Sequence, residues 1–376
     1  MDERRRFISD WLKGDWNVAE LSRNHGISRR TAYKWLDRFQ ANGEAGLVDQ
    51  SRAPLSHANA VNEDVEREIL AFKGKHPWWG PKKLRHRLQD LNPERTWPVT
   101  STFGEILRRN GLVSRRRRVH RVPPYKGSLS EGLSPNDVWA ADFKGWFRTR
   151  DGSRVDPLTI SDVGSRYLLK CQSVARTDGS CVRAQFAATF REYGMPYAVR
   201  TDNGPPFASQ SRLGLSRLSV WLVRLGIVPE RIRKGQPQEN GVHERMHKTL
   251  KEETAKPPKA NPLRQQEDFE RFRRMFNEER PHEGLGMETP SSMYQRSPRV
   301  FPARLPEIEY PAGTAVRRVR LNGTIKWLGE ELAVTKILTG EWVGLTEAGD
   351  GQWAIQFGSI LIGVYDERKA KIDWEN

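Results

Sequence analysis

The 376-residue chain is strongly basic, because 63 Lys and Arg face 47 Asp and Glu and give a formal net charge of +16. This length predicts roughly two to four domains. No apolar run is long enough for a membrane-spanning helix, and the first residues lead into no apolar segment typical of a secretory signal. The two cysteines, Cys171 and Cys181, exclude a disulfide scaffold and a four-thiolate zinc site. We therefore expect a protein of the reducing cytoplasm.

The positive charge is concentrated at the N-terminal end. Residues 1–126 contain 26 Lys and Arg against 15 Asp and Glu, a net charge of +11, whereas the remaining 250 residues contain 37 against 32, a net charge of +5. Such asymmetry favours a polyanionic partner, most simply nucleic acid. The alternative is that the charge serves only solubility.

Residues 1–56 have the pattern of a helix-turn-helix domain. Gly26 occupies a tight turn between two helices, and Ser28 is placed to cap the helix that runs from Arg29 to about Gln40. In this arrangement the second helix of the motif presents its N-terminal side chains to the DNA major groove. The predicted DNA contacts are Arg29, Arg30, Thr31, Tyr33 and Lys34. A helical bundle with no DNA role is the alternative.

Residues 57–113 form a second helical block that resembles another helix-turn-helix domain. A turn at residues 78–81 separates two apolar-periodic stretches, and Thr100 or Ser101 is predicted to cap a third helix. Lys82 and Lys83 remain on the outside as predicted DNA contacts. Residues 114–135 are predicted to be a basic linker that follows DNA phosphates, and its contacts would be Arg115, Arg116, Arg117 and Arg118.

The rest of the chain changes to strand patterns. Residues 136–300 contain three strands, a helix, a further strand and then helices, which predicts a mixed α/β domain. Residues 308–376 contain short strands separated by glycine turns, which predicts a small C-terminal β-barrel that packs on the preceding domain or contacts DNA. The predicted fold class is thus multidomain α/β, with N-terminal helix-turn-helix bundles and a C-terminal barrel.

Three acidic residues in the α/β domain are candidates for metal-dependent chemistry. Asp142 interrupts an apolar strand, Asp202 follows a strand end, and Glu244 lies on a predicted helix over about 238–253. Carboxylates are the hard ligands that Mg²⁺ prefers, and two such ions promote phosphoryl transfer. Helical spacing places His247, Lys248 and Lys251 on the same side as Glu244, where they are predicted to hold a DNA backbone. Taken singly, each carboxylate is equally compatible with a salt-bridge or capping role.

Several motifs resemble the DDE transposases of bacterial insertion sequences, which share a catalytic core with retroviral integrases. The matching segments lie in the family's order and extend over nearly the whole chain. They are residues 26–35, 43–54, 78–81, 139–145, 200–207, 236–250 and 277–285.

The resemblance implies a ribonuclease-H-like core in which Asp142, Asp202 and Glu244 hold two Mg²⁺ ions, or Mn²⁺ as a substitute. Glu239 competes for the third position, but the residues flanking Glu244 match the family motif better. The 41 residues between Asp202 and Glu244 exceed the family's usual interval by several, and the excess is expected around residues 210–217.

The implied activity is cleavage at transposon ends and joining of the freed 3′-hydroxyls to target DNA. The implied partners are double-stranded DNA, as terminal inverted repeats and target, and further copies of the chain in a synaptic complex, with no membrane. The alternatives are a catalytically silent DNA-binding regulator derived from a transposase and a plain nuclease of the ribonuclease H type. Intact carboxylates argue against the first, and two DNA-binding blocks argue against the second.

Overall fold

The computed structural model describes residues 2–49, 51, 61–113, 129–174, 176–209, 214–233 and 237–374, with the side chains of residues 2, 237 and 238 excepted. The chain divides into two units, residues 1–62 and 63–376. The predicted linker arginines Arg115, Arg116, Arg117 and Arg118 lie outside the described residues. Within the described residues, no helix is both long enough and apolar enough to cross a membrane.

The first unit contains three α-helices: α1 (Asp2–Lys13), α2 (Val18–Asn24) and α3 (Arg29–Asn42), followed by a 3-10 turn over Gly43–Leu47. Asn17 caps α2 in a reciprocal box with Glu20, because each side chain bonds the other residue's backbone N–H. The predicted cap of α3 is confirmed, since Ser28 Oγ accepts the Thr31 backbone N–H at 3.1 Å. Gly26 has the positive φ that the turn requires, +61°.

The apolar side of α3 forms the core of this unit. Ala32, Trp35 and Leu36 are buried beside Phe7, and the guanidinium of Arg4 lies 4.0 Å from the centroid of the Trp35 ring. In this cation–π contact, a charged guanidinium group covers one face of the indole ring. The inward stripe predicted from helical spacing is therefore present, and Arg29, Arg30, Tyr33 and Lys34 are exposed on the outer face of α3.

The second helical block contains α4 (Glu63–Lys75), α5 (Pro81–Leu91) and α6 (Thr100–Arg109). Between α4 and α5, the buried ammonium of Lys73 donates to the carbonyls of Pro77 at 2.6 Å and Trp79 at 2.9 Å, which closes the turn. The start of α6 differs from expectation. Its N-cap is Val99, with no side-chain cap bond, because Thr100 already has helical geometry.

The α/β domain is built on a mixed six-stranded sheet. Its strands are β1 (Val138–Phe143), β2 (Phe147–Arg148), β3 (Arg154–Asp162), β4 (Leu168–Val174), β5 (Ala198–Thr201) and β6 (Val228–Arg231). The order is β2-β3-β1-β5-β6, and β4 also pairs with β3. The pairs β1–β5 and β5–β6 are parallel, whereas β3 is antiparallel to its neighbours. The carboxyl ends of β1 and β5 therefore meet at one edge of the sheet.

Helices cover this sheet. They are α7 (Gly179–Tyr193), α8 (Arg217–Arg224), α9 (Gly241–Thr254), α10 (Pro262–Arg274) and α11 (Pro290–Met293), with 3-10 turns over Pro237–Asn240 and Glu283–Leu285 and a π-helical turn over Met275–Glu279. The predicted helix over 210–225 is shorter than expected, since it begins only at Arg217. One core beneath the sheet joins Trp139, Phe186 and Phe190 to Trp221.

The C-terminal region is all β. Its strands are β7 (Ala315–Arg318), β8 (Thr324–Trp327), β9 (Glu330–Ala333), β10 (Trp342–Gly349), β11 (Gln352–Phe357), β12 (Ile360–Asp366) and β13 (Lys371–Trp374), with a 3-10 turn at Lys336–Leu338. A five-stranded antiparallel sheet runs β13-β12-β11-β10-β7, and β8 and β9 form a separate pair. The two groups enclose a common core, but among the described residues backbone pairing does not close them into a barrel.

The C-terminal region packs on the α/β domain through α8. Val220 and Val223 belong to the C-terminal core, whereas Trp221 and Leu222 belong to the core of the α/β domain. Arg224 supports the same junction, because its Nη1 lies 3.5 Å from Glu341 Oε1. Of the two roles predicted for this region, packing on the preceding domain is the one that the structure displays.

Candidate active site

The sheet topology brings Asp142 and Asp202 to the same edge. Strands β1 and β5 are parallel neighbours in which Ala141 pairs with Thr201. The next residue on each strand is an aspartate, so the two carboxylates leave the sheet side by side. This is the edge at which open α/β sheets place their ligand sites.

The surroundings of Asp142 disfavour the ionised form of its carboxyl group. Burial, followed by the charge of Asp202, raises its pKa from 3.8 to about 7; Glu244 adds to the rise, and the Phe143 backbone and Lys144 oppose it. Desolvation and like charges both disfavour an ionised carboxyl group. Asp202 and Glu244 therefore both act on Asp142, although the three carboxylates come from β1, the end of β5 and α9.

Asp202 is held in place by the turn that follows it. The backbone N–H of Gly204 donates to Asp202 Oδ1 at 3.1 Å. A Cβ at position 204 would lie 2.9 Å from Asp202 Oδ2, closer than real Cβ contacts occur. The carboxylate thus occupies space that only glycine leaves open.

Glu244 and Glu239 have different environments. Glu244 lies in the first turn of α9 and is exposed; desolvation raises its pKa, and Lys144 opposes the rise. Glu239 is buried, and its carboxylate accepts the backbone N–H of Arg233 at 2.7 Å and the Arg233 guanidinium at 2.8 Å. Glu244, in contrast, is one of the two carboxylates that raise the pKa of Asp142.

A buried hydroxyl–imidazole cluster supports Asp142 from behind. Thr159 Oγ1 donates to the Asp142 carbonyl at 3.2 Å and lies 2.8 Å from His243 Nε2 and 2.6 Å from His247 Nε2. Ser161 Oγ lies 2.7 Å from His243 Nδ1, and His247 Nδ1 lies 3.7 Å from Asp142 Oδ2. Burial lowers the pKa of both histidines, that of His243 to about 3, so both rings are neutral at physiological pH.

This cluster contains one predicted DNA contact and adds residues that the sequence did not indicate. His247 was predicted to hold a DNA backbone together with Lys248 and Lys251, but its side chain is buried against Thr159 and Asp142. His243, Thr159 and Ser161 were not singled out. The four-residue spacing of the two histidines on one helix was the available signal, since it predicts a shared face.

The other predicted DNA contacts are mostly exposed. Arg29, Arg30, Tyr33 and Lys34 lie on the surface of α3, Lys82 on α5, and Lys248 and Lys251 on α9, whereas Thr31 and Lys83 are half-buried. Thr31 Oγ1 also lies 2.9 Å from Ser28 Oγ, within the helix cap. Solvent exposure makes the first group available to a partner.

The donor set at the sheet edge suits a hard divalent cation. In the part of the chain that the structure describes, no three His, Cys, Asp or Glu side chains are close enough together to hold one metal ion. Asp142, Asp202 and Glu244 nevertheless supply carboxylate oxygens, the ligand type that Mg²⁺ prefers. The repulsion that raises the Asp142 pKa is what a bound cation would remove, so these residues fit such an ion.

Family models match the two helical blocks and the α/β domain. Two models described as integrase core domain match residues 132–237 and 225–290. A helix-turn-helix domain model matches residues 3–54, and a homeodomain-like model matches residues 31–107. The two helical blocks and the α/β domain are therefore assigned independently of the geometry above.

The curated relatives include proteins of bacterial insertion elements. A 39.2 kDa protein of insertion element IS476 from Xanthomonas euvesicatoria is 26% identical over 76% of this chain and 80% of its own length. A transposase of insertion sequence IS904 from Lactococcus lactis is 28% identical over 62% of this chain and 96% of its own length.

Solved structures of viral integrases also match the chain, at low identity and low TM-score. The catalytic core of HTLV-2 integrase, solved with magnesium, is 16% identical over 44% of this chain and 99% of that one, with a TM-score of 0.35. A simian T-cell lymphotropic virus intasome chain is 17% identical over 78% of this chain and 97% of that one, with a TM-score of 0.37. Residues 132–290 therefore match the integrase core domain and follow residues that match helix-turn-helix models, and the chain is similar to insertion-sequence transposases.

Proposed function

We propose that this protein is a transposase that binds the ends of an insertion element, cleaves there and joins the freed 3′-hydroxyls to target DNA. The observation that carries the proposal is the convergence of Asp142 and Asp202 on neighbouring parallel strands, with Glu244 acting on Asp142 from α9. Two carboxylates at one sheet edge, with a third from α9 and exposed lysines on the same helix, are suited to phosphoryl transfer on a polyanion.

The reaction consists of two in-line displacements at phosphorus. In cleavage, a water oxygen forms a bond to the phosphorus, and the bond to the 3′ oxygen breaks and leaves a 3′-hydroxyl. In joining, that hydroxyl attacks a target phosphodiester, forms a new bond to the target's phosphorus and releases a target 3′-hydroxyl. Each step exchanges one phosphorus–oxygen bond for another, so no oxidant or external energy source is needed.

The chain's own residues would hold and orient the reacting groups. Asp142, Asp202 and Glu244 would bind two divalent cations, Mg²⁺ or its substitute Mn²⁺, which lower the pKa of the attacking oxygen and stabilise charge on the leaving oxygen. Gly204 fixes the Asp202 carboxylate, and the Thr159 hydroxyl fixes the backbone of β1. Lys248 and Lys251, exposed on α9, are placed to contact backbone phosphates.

DNA end recognition would belong to the two helical blocks. The exposed basic face of α3, with Arg29, Arg30 and Lys34, supports insertion into a major groove. Two ends must be cut and joined together, whereas each chain has a single set of the three carboxylates. We therefore expect a homo-oligomer of at least two chains on DNA, detectable as a change in molar mass by light scattering when an end duplex is added.

The test is strand transfer from a linear duplex that ends in the element's terminal repeat, with Mg²⁺ present. Asp202→Asn and Glu244→Gln are expected to reduce the rate by at least about 10³-fold, because each removes a charged ligand. Glu309→Gln, at an exposed glutamate between the domains, is the matched control and should retain wild-type activity. Near-wild-type transfer by Asp202→Asn would contradict the proposed site.

The same assay separates the two glutamates. Glu239→Gln weakens the buried pair with Arg233 and is expected to lower stability while transfer continues. If Glu239→Gln abolishes transfer in a folded protein and Glu244→Gln does not, the third carboxylate is Glu239.

A further inference from the structure

A pocket separate from the three carboxylates lies on the opposite side of α9 from Glu244. We call it the α9 pocket. By helical spacing, Val242, Arg245, Met246 and Thr249 form one face of α9, whereas Glu244, Lys248 and Lys251 form the other. The polar side chains that line the pocket are those of Lys83, Ser161, Arg166, Arg245, Thr249, Arg280 and His282. They come from the second helical block, the end of β3 and the turn after it, α9 and the segment after α10.

Among the described residues, the four cations of the α9 pocket, Lys83, Arg166, Arg245 and Arg280, outnumber the three carboxylates that act on Lys83 and Arg280, those of Glu252, Glu253 and Glu283. Among the described residues, the side chains of Lys83, Arg166 and Arg245 make no hydrogen bond or ion pair. Arg280 does have a partner, since its Nη1 lies 3.0 Å from Glu253 Oε1. The exposed carboxylate of Glu283 attracts Lys83 without pairing with it.

His282 provides a second, independent observation. The residue is 7% exposed, it lines the α9 pocket, and its Nε2 has no hydrogen-bond partner among the described residues. A buried polar atom without a partner is uncommon in folded proteins and points to a missing group. A run of charged side chains on the surface would be hydrated and would not include a buried polar atom without a partner.

The positive charges in the α9 pocket also disfavour one another's protonated forms. Burial, and then the charge of Arg280, lowers the pKa of Lys83 to about 8. Burial, followed by Lys83, Arg280 and Arg166, lowers the pKa of His282 to about 3. An anion between these groups would reverse the repulsion and would accept hydrogen bonds from guanidinium groups, which suit the geometry of phosphate oxygens.

We propose that the α9 pocket is a phosphate-binding site that joins the second helical block to the α/β domain. Its natural source of phosphate would be the backbone of bound DNA, because Lys83 belongs to the helical block predicted to bind DNA. That choice of source rests on the proposed function, whereas binding of the phosphate group does not.

The first experiment titrates inorganic phosphate into the full chain by calorimetry, without DNA or metal. Arg166→Gln and Arg245→Gln are each expected to weaken binding about tenfold, because each removes one charge-assisted hydrogen bond. Arg274→Gln, at an exposed arginine at the end of α10, is the matched control and should bind as wild type does. Lys83→Gln, on α5, is a third variant and should also weaken phosphate binding.

Equal phosphate affinity in all of these proteins, or no binding by the wild type, would overturn the proposal. Because this titration contains neither DNA nor Mg²⁺, its failure is distinct from a failure of strand transfer. Circular dichroism of each variant confirms that the comparison is between folded proteins.

The second experiment identifies the source of the phosphate. The affinity for a fixed linear duplex is measured at several salt concentrations, and each backbone phosphate contact contributes about one unit to the slope of log K against log salt. A slope that is smaller by about one in the Arg166→Gln, Arg245→Gln double variant than in Arg274→Gln assigns the site to DNA. An unchanged slope, with phosphate binding lost, assigns it to free phosphate.

Discussion

At the scale of single residues, the charge of Asp142 works against the folded state when no cation is present. Its folded pKa is raised from 3.8 to about 7, so the folded protein binds this proton more tightly than the unfolded chain does. Ionisation therefore reduces stability as pH rises from about 4, and the loss is complete only above about 7. A site of this kind is built for a ligand and not for stability.

The first prediction concerns the substitution Asp142→Asn. In EDTA at about pH 8, the variant is expected to be more stable than wild type by about 1–3 kcal/mol, because a desolvated charge beside Asp202 has been removed. Urea denaturation at about pH 8 and pH 5 measures the effect, which should shrink at the lower pH. Asp373→Asn, at an exposed position, is the control. A variant less stable than wild type at both pH values would contradict this account.

The second prediction concerns the glycine beside Asp202. Gly204→Ala places a Cβ 2.9 Å from the position of Asp202 Oδ2 and forces the carboxylate to move. Strand transfer is expected to fall at least about tenfold, since small displacements of catalytic groups are costly. Thermal unfolding should change little. Gly179→Ala, where the nearest atom is Pro206 Cβ at 3.8 Å, is the matched control, and equal activities of the two variants would refute the steric argument.

At the scale of elements, α8 stabilises two domains with opposite faces of a single short helix. Leu222 packs into the core of the α/β domain, and Val223, the next residue, packs into the C-terminal core. Adjacent positions on a helix point about 100° apart, so the two contacts are separable by substitution.

The third prediction uses this separation. Leu222→Ala is expected to lower global stability by about 2–5 kcal/mol, because it leaves a cavity in the larger core. Val223→Ala should cost about 1–2 kcal/mol and act mainly on the C-terminal region. Amide hydrogen exchange tests the distinction: Val223→Ala should accelerate exchange in β10–β12 but not in β1 or β5. Uniform acceleration in both variants would show that the two cores unfold together.

The sequence predicted the elements with strong local signals. The cap at Ser28, the turn at Gly26 and the strand that contains Asp142 are present because capping, positive φ and apolar runs are local properties. Strand β6 was not predicted, since Pro229 and Glu230 mask a four-residue edge strand that only pairing with β5 stabilises. The strands of the predicted C-terminal barrel are present, but backbone pairing does not close them among the described residues, because closure depends on long-range pairing.

In the candidate site, too, the residues with local signals were predicted and the long-range contacts were not. Asp142, Asp202 and Glu244 were singled out from strand ends and motifs, whereas the burial of His247 follows from how α9 packs on β3. Likewise, the α9 pocket is assembled from four segments that are distant in sequence, with Lys83 and His282 almost two hundred positions apart. No periodicity or spacing contains that information.

At the scale of the whole molecule, the charge distribution separates binding from chemistry. The net charge of +11 belongs to residues 1–126, and the remaining 250 residues carry +5 around an acidic site. DNA affinity should therefore depend chiefly on the N-terminal third and should fall steeply with salt, because each phosphate contact releases counterions.

The fourth prediction tests this division on the full chain. A double variant, Arg29→Gln with Arg30→Gln, is expected to weaken binding to an end duplex and to reduce the salt slope by about two, one for each lost phosphate contact. The matched control removes the same charge elsewhere, with Arg274→Gln and Arg304→Gln at exposed positions outside the helical blocks. Fluorescence anisotropy at several salt concentrations measures both slopes. If the control loses as much slope as the α3 variant, affinity depends on the total charge of the molecule and not on the α3 surface.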